Sequence, residues 1–100
     1  MAGPIYKLWM AKPKEAWYRL SEEERSSYIA KLIEAREKVG GKEVITCDPF
    51  WSAHPWTVFG VDEYPDIEAA QENAKLLSEL EYSRYMDAVS MLGTTYQGVP

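Results

Sequence analysis

The chain is poor in the residues on which many catalytic and structural devices depend. It holds one cysteine, Cys47, and one histidine, His54. A lone cysteine cannot form an intramolecular disulfide, so nothing suggests a secreted, bridge-stapled fold and a reduced, cytoplasmic setting is expected. One His and one Cys without a clustered second pair do not make a zinc site, and no His-x-x-x-His spacing occurs, so no metal is expected. Glycine-rich phosphate loops and the G-x-S-x-G nucleophile elbow are also missing, and no organic cofactor is implied. No run approaches the ~20 apolar residues of a membrane span. The stretch Met1 to Ala11 lacks the long apolar segment of a secretory leader, since Lys7 and Lys12 interrupt the only candidate run. Basic residues are outnumbered, 11 against 16 acidic, and lie scattered among acidic neighbours, which argues against a nucleic-acid partner.

What the chain has in excess is aromatic surface. Four Trp, seven Tyr and two Phe occur in 100 residues. A single domain of this length buries roughly 65% of its unfolded surface. So modest a core holds that many rings with difficulty, which points to a lined cavity, an interface or both; a Trp-rich core is the alternative.

The hydrophobic pattern changes period along the chain. Ile5 to Ala11 is a short β-favouring run with Ile5 and Trp9 on one face and Tyr6, Leu8 and Met10 on the other. Both faces are apolar, as in a central strand. Pro13 and its polar neighbours then predict an irregular connector pinned by Trp17 and Leu20. Ser21 and Glu24 form a capping-box pair, so a helix should begin there, with Glu22, Glu23 and Glu24 at its electropositive end and Arg36 and Lys38 at its other end. Tyr28, Ile29, Leu32, Ile33 and Ala35 make its apolar stripe, and Gly40 and Gly41 supply its exit.

Lys42 to Cys47 reads as a second strand, and the Pro-containing DPFWSAHPW as a loop dense in aromatic and ionisable groups. Trp56 to Tyr64 alternates as a second central strand, in which Gly60 marks a bulge or a close approach to the backbone. Asp66 caps a second helix carrying Ile67, Ala70, Ala74 and Leu77, a sharp return is expected around Glu81, and Ala88 to Thr94 is the last strand. This order predicts an α+β, ferredoxin-like βαββαβ domain over residues 1–100 with a four-stranded antiparallel sheet. Two helices cover one face of such a sheet. The other face, also apolar, then calls for a partner, most economically a second copy of the chain.

With that order of elements the chain resembles the ferredoxin-like dimeric α+β barrel superfamily, which includes muconolactone isomerases, antibiotic-biosynthesis monooxygenases and small polyketide cyclases. The segment WYRLSEEER is similar to the opening of the first helix in the uncharacterised darcynin-like families, and LEYSRYMDAV to a segment shared by those families and muconolactone isomerases. The resemblance implies a homodimer joined through the sheet faces and a pocket in each subunit between sheet and helices, often working without a cofactor. No muconolactone-isomerase active-site pattern is present.

The candidate chemistry follows. His54 is the one side chain with an ordinary pKa near neutrality, so it is the candidate base, with Asp48 or Glu63 to orient it. Tyr6, Tyr82 and Tyr85 are candidate phenol donors to a carbonyl or enolate oxygen. Trp9, Trp51, Trp56 and Phe59 are candidate walls for a hydrophobic or aromatic small molecule. Each has a plainer role available: a loop histidine bonded to backbone, a satisfied core tyrosine, a tryptophan at an interface. Asp62 and Glu63 point to opposite faces of a central strand. The turn at Pro65 favours solvation for both, with Arg19 or Arg84 as possible partners. The reading is a cofactor-independent proton-transfer enzyme of isomerase, cyclase or monooxygenase type; the alternative is a non-catalytic ligand-binding or protein-interaction module.

Overall fold

A computed structural model describes residues 3–52 and 54–98. Strand β1 (Ile5–Pro13) leads through a short helix α1 (Glu15–Tyr18) into helix α2 (Glu22–Lys38), followed by β2 (Lys42–Cys47) and β3 (Val58–Tyr64). Helix α3 (Ile67–Glu79), the one-turn α4 (Tyr82–Tyr85) and β4 (Met86–Gly93) complete the chain. The sheet is four-stranded, in the order β2-β3-β1-β4, and every pairing is antiparallel. This is the ferredoxin-like α+β arrangement, with β1 and β3 central.

Local chemistry explains most boundaries. The Ser21 hydroxyl accepts from the Glu24 N–H at 3.0 Å while the Glu24 carboxylate accepts from the Ser21 N–H at 2.8 Å, which closes the capping box. Asp66 accepts from the Ala69 N–H at 2.8 Å and starts α3. Gly40 takes φ +84° at the exit of α2. Glu81 adopts φ 56°, rare for a residue with a Cβ, and turns the chain sharply from α3 into α4.

Three strands differ in their bounds from the sequence reading, β4 among them, since it runs from Met86 to Gly93 rather than from Ala88 to Thr94. Pro13 continues β1, because at the strand end it pairs with Met86 without needing an N–H, and the predicted connector contains the helix α1. Trp56 precedes β3, while the register irregularity lies in β2, between Glu43 and Ile45. At Gly60 the close approach is the Trp9 ring, since a Cβ there would sit 2.8 Å from it and 2.7 Å from the Ile45 carbonyl oxygen.

The pleat sorts side chains between the two faces. Lys7, Trp9 and Ala11 of β1 share the helix-covered face with Gly60 and Asp62 of β3 and Ala88 and Ser90 of β4. Tyr6, Leu8 and Met10 share the opposite face with Phe59, Val61, Val89 and Met91. Among the described residues the buried apolar core consists of Ala11, Ala35, Tyr64 and Ala70. Ile29 and Ile33, expected on the buried stripe of α2, are exposed, and Ala35 is that helix's buried residue.

Candidate functional site

Between the sheet and the helices lies a cavity of about 400 Å³. Its floor is the covered sheet face, with Lys7 and Trp9 from β1, Asp62 from β3 and Ser90 from β4. Leu32 and Arg36 of α2 close one side, Asn73 and Leu77 of α3 the other, and Tyr82 stands at the end where Glu81 turns the chain back. The body of the cavity is apolar and its floor is charged.

Asp62 is the centre of that charge. It is 8% exposed, and its Oδ1 accepts from Arg36 Nη1 at 3.4 Å, a long ion pair. Lys7 stands directly opposite it in the β1–β3 register. Burial pushes the Asp62 carboxyl above the usual aspartate range, against the pull of Arg36, of the nearby Trp9 indole and of Lys7; Glu43 pushes it further up. Burial likewise lowers Lys7, with the Asp62 charge opposing. Tyr82 is raised by burial and then by the Asp62 charge. Both members of the Lys7–Asp62 pair are thus drawn toward their neutral forms, the condition in which a group exchanges protons readily.

Hydrogen bonding around the acid is incomplete. The Asn73 amide, 3% exposed, donates through Nδ2 to the Tyr64 hydroxyl at 2.7 Å, while its Oδ1 has no partner. Arg36 Nε and Trp9 Nε1 are likewise buried and unpaired; the indole N–H lies near Asp62 but outside bonding geometry. Buried polar atoms are normally satisfied, and three orphans here belong to residues lining one cavity.

Of the residues singled out in the sequence, Trp9 and Tyr82 line this cavity. His54 does not. It sits exposed in the β2–β3 loop, where Nδ1 accepts from the Trp56 N–H at 2.9 Å, leaving the proton on Nε2 to donate to the Pro49 carbonyl at 2.9 Å. Asp48 accepts from the Phe50 N–H at 3.0 Å in the same loop, and among the described residues no hydrogen bond joins it to His54. Trp51 is 81% exposed, and Trp56 packs under the Lys12 ammonium at 5.5 Å. Tyr85 belongs to an edge-to-face cluster with Trp17 and Tyr28, at centroid separations of 6.3 and 4.9 Å. Tyr6 and Phe59 lie on the uncovered sheet face. Arg19 pairs with Glu15 and Arg84 with Glu81, both at the surface, so neither reaches Asp62.

The residues that the sequence reading passed over are Lys7, Arg36 and Asn73. A signal existed for the first: a lysine and an aspartate on the inner faces of two adjacent central strands. Among the described residues, no three His, Cys, Asp or Glu side chains gather where a metal ion would be held, and no helix is long and apolar enough to cross a membrane.

No family model matches the chain, and no curated protein matches it. Solved structures do. A protein of unknown function from Rhodopseudomonas palustris aligns over 98% of this chain and 86% of its own, at TM-score 0.70 and 19% identity. A mutant chlorite dismutase from Candidatus Nitrospira defluvii aligns over 99% of this chain at TM-score 0.73 and 12% identity, this chain spanning 43% of it. A dimeric protein of unknown function with a ferredoxin-like fold from Bacteroides fragilis aligns over 93% of this chain at TM-score 0.49 and 13% identity. At such identities the likeness to the first two is one of fold, and the site must be argued from its own residues.

Proposed function

We propose that the protein is a small-molecule enzyme acting by cofactor-independent proton transfer, with Asp62 rather than His54 as the base. The observation that carries this reading is a carboxylate buried on the floor of a largely apolar cavity, between two cations, with its pKa pushed up by burial. In the proposed step Asp62 takes a proton from a carbon next to a carbonyl. The C–H electron pair becomes the new carbon–carbon π bond, and the carbonyl π pair moves to oxygen. Lys7 and Arg36 stand where they stabilise the resulting enolate oxygen, and Tyr82 supplies a phenol O–H at the rim. Protonated Asp62 then returns the proton to another carbon, an isomerisation without net oxidation. Cyclase and, with dioxygen as co-substrate, monooxygenase chemistry would share the first step. Placement in a darcynin-like family and a cytoplasmic setting belong to the same reading, supported by the two quoted segments and by unpaired Cys47.

The test is exchange of carbon-bound hydrogen for deuterium, followed by NMR over a panel of enolisable aryl ketones and unsaturated lactones. Wild-type protein should catalyse exchange on at least one of them, and Asp62→Asn should slow it by roughly 10²- to 10⁴-fold. The acidic limb of the rate should lie above the ordinary aspartate value of 3.8, because the base must ionise against burial. Exchange that persists in Asp62→Asn would remove Asp62 as the base. Binding without exchange would leave a non-catalytic binding module.

The proposal includes a homodimer joined through the uncovered sheet face. A compact monomer of 11.5 kDa exposes about 5,800 Å² by the usual scaling, whereas this chain exposes 7072 Å². The excess, about 1,300 Å², is of the order that one subunit gives up in a stable interface.

A further inference from the structure

We infer that Lys7 is a nucleophile that holds the substrate covalently, as an iminium, and that the substrate is therefore an enolisable aldehyde or ketone with an apolar substituent. Covalent binding deepens the proton-transfer reading and rests on it for the location of the site alone. Lys7 comes from a central strand and lines the cavity floor, half-buried, directly opposite Asp62 in the β1–β3 register. Asp62 already has a counter-ion in Arg36, at 3.4 Å. Among the described residues no hydrogen bond or ion pair reaches the Lys7 Nζ, nor is it one of the unpaired nitrogens sealed from solvent. An amine so placed, reachable from a largely apolar cavity and with no partner to hold its charge, is disfavoured as the ammonium relative to the free base. Burial draws Lys7 toward that free base, with the Asp62 charge opposing. Arg36 keeps its proton and could not take this part. An ammonium can only polarise a carbonyl, whereas a free amine can bond to it.

The Nζ lone pair bonds to the carbonyl carbon, the carbonyl π pair moves to oxygen, and a proton passes from nitrogen to that oxygen. One further proton from solvent lets the C–O bond break and water leave, while the nitrogen pair forms the C=N bond of the iminium. Asp62 then takes a proton from the adjacent carbon. The C–H pair becomes a carbon–carbon π bond and the C=N π pair returns to nitrogen, giving an enamine. Protonated Asp62 returns the proton to carbon, and water hydrolyses the iminium with no net oxidation. Opposed residues of paired strands hold their Cβ atoms about 4.5–5.5 Å apart, so Lys7 and Asp62 serve one stretch of floor. Trp9, Leu32 and Leu77 supply the apolar wall for the substituent. A lactone carbonyl forms an amide rather than an iminium, so aldehydes and ketones are the selected class.

Wild-type protein incubated at neutral pH with phenylacetaldehyde or benzylacetone and cyanoborohydride tests the bond directly, because the hydride fixes an iminium as a stable secondary amine. Peptide mapping by mass spectrometry should place the adduct on Lys7 roughly tenfold ahead of every other amine of the chain. Lys12, the other half-buried lysine, lies 3.9 Å from Asp87 and is the closest control. Lys7→Arg keeps a cation on the floor but cannot form the bond; it should lose the adduct and slow deuterium exchange on benzylacetone. The mapping needs no variant, so poor folding of Lys7→Arg would not blunt it. Adducts spread over the exposed Lys31, Lys38 and Lys75, or absent, would overturn the covalent role, and so would exchange in Lys7→Arg at the wild-type rate. Exchange that needs Asp62 but leaves no adduct would preserve the proton-transfer reading by itself. An adduct on Lys7 without exchange would support the nucleophile and sink that reading instead.

Discussion

The two faces of the sheet are the reverse of what a simple core would require. The face that the chain covers with its own helices carries Lys7, Asp62 and Ser90 beside Trp9, whereas the face it leaves bare carries Leu8, Met10, Phe59, Val61, Val89 and Met91. Burial of apolar surface stabilises a fold and burial of unpaired polar groups opposes it. A chain that hides its ions and shows its hydrocarbons is therefore arranged for something besides monomer stability. Enclosure of a charged floor suits chemistry, and a broad apolar face suits assembly. The proposed chemistry and the proposed dimer would fall on opposite sides of one sheet, each strand serving both through its alternating side chains.

The largest expected effect comes from placing a charge on the bare face. Met91 is 64% exposed in the chain alone, so in a monomer Met91→Glu is a surface change within about 0.5 kcal/mol. Against a second copy the same carboxylate would be buried unpaired, at a cost of several kcal/mol. Sedimentation at micromolar concentration should show a wild-type dimer and a largely monomeric Met91→Glu. A wild-type monomer, or a variant dimer of undiminished strength, would break the comparison.

The covered face is probed by alkali. Tyr64, fully buried and bonded to Asn73, has its phenol pushed up to about 12, chiefly by burial and then by the Asp62 charge. Its folded pKa exceeds its unfolded one, near 10, so the native state holds the proton more firmly. Stability is complete below about pH 10 and is lost as pH rises through the folded value, by roughly 2–3 kcal/mol from this residue at about 1.4 kcal/mol per unit. Denaturant unfolding at pH 8 and above pH 11, compared between wild type and Tyr64→Phe, should show a smaller alkaline loss in the variant. An equal loss would mean that the covered face is wetter than its burial implies.

The same contrast explains what could be read from the sequence. Caps are local, so Ser21 with Glu24 and Asp66 announced two helices within one turn of their starts. Alternation with two apolar faces identified β1 and β3 as central, and Gly60 announced the approach that Trp9 makes. The cavity floor was less legible because its pairs are distant in sequence. Arg36 and Asp62 are 26 residues apart, and Arg36 also fits the ordinary role of a cation near a helix C-terminus. Lys7 reads as an interruption of an apolar run until β1 and β3 are placed in register. His54 drew notice through its intrinsic pKa, but backbone groups within five residues occupy both ring nitrogens, a local trap that composition cannot reveal.

The smallest effect sharpens the comparison from outside both faces. Helix α2 delivers Leu32 and Arg36 to the cavity from its C-terminal half, while Ser21 caps its other end, about 22 Å from Arg36 at the usual helical rise. Ser21→Ala removes one capping bond and leaves the Glu24 N–H unpaired at the surface, which should cost about 1 kcal/mol in denaturant unfolding. If the cavity is held by its own contacts, chiefly the Arg36–Asp62 pair and the packing of α2 on α3, binding and exchange should be unchanged within about twofold, since the first turn can fray without moving the last. A fall in binding comparable to the loss of stability would show instead that α2 moves as one rigid body, and that the charged floor is enclosed only as firmly as the helix is anchored at its start.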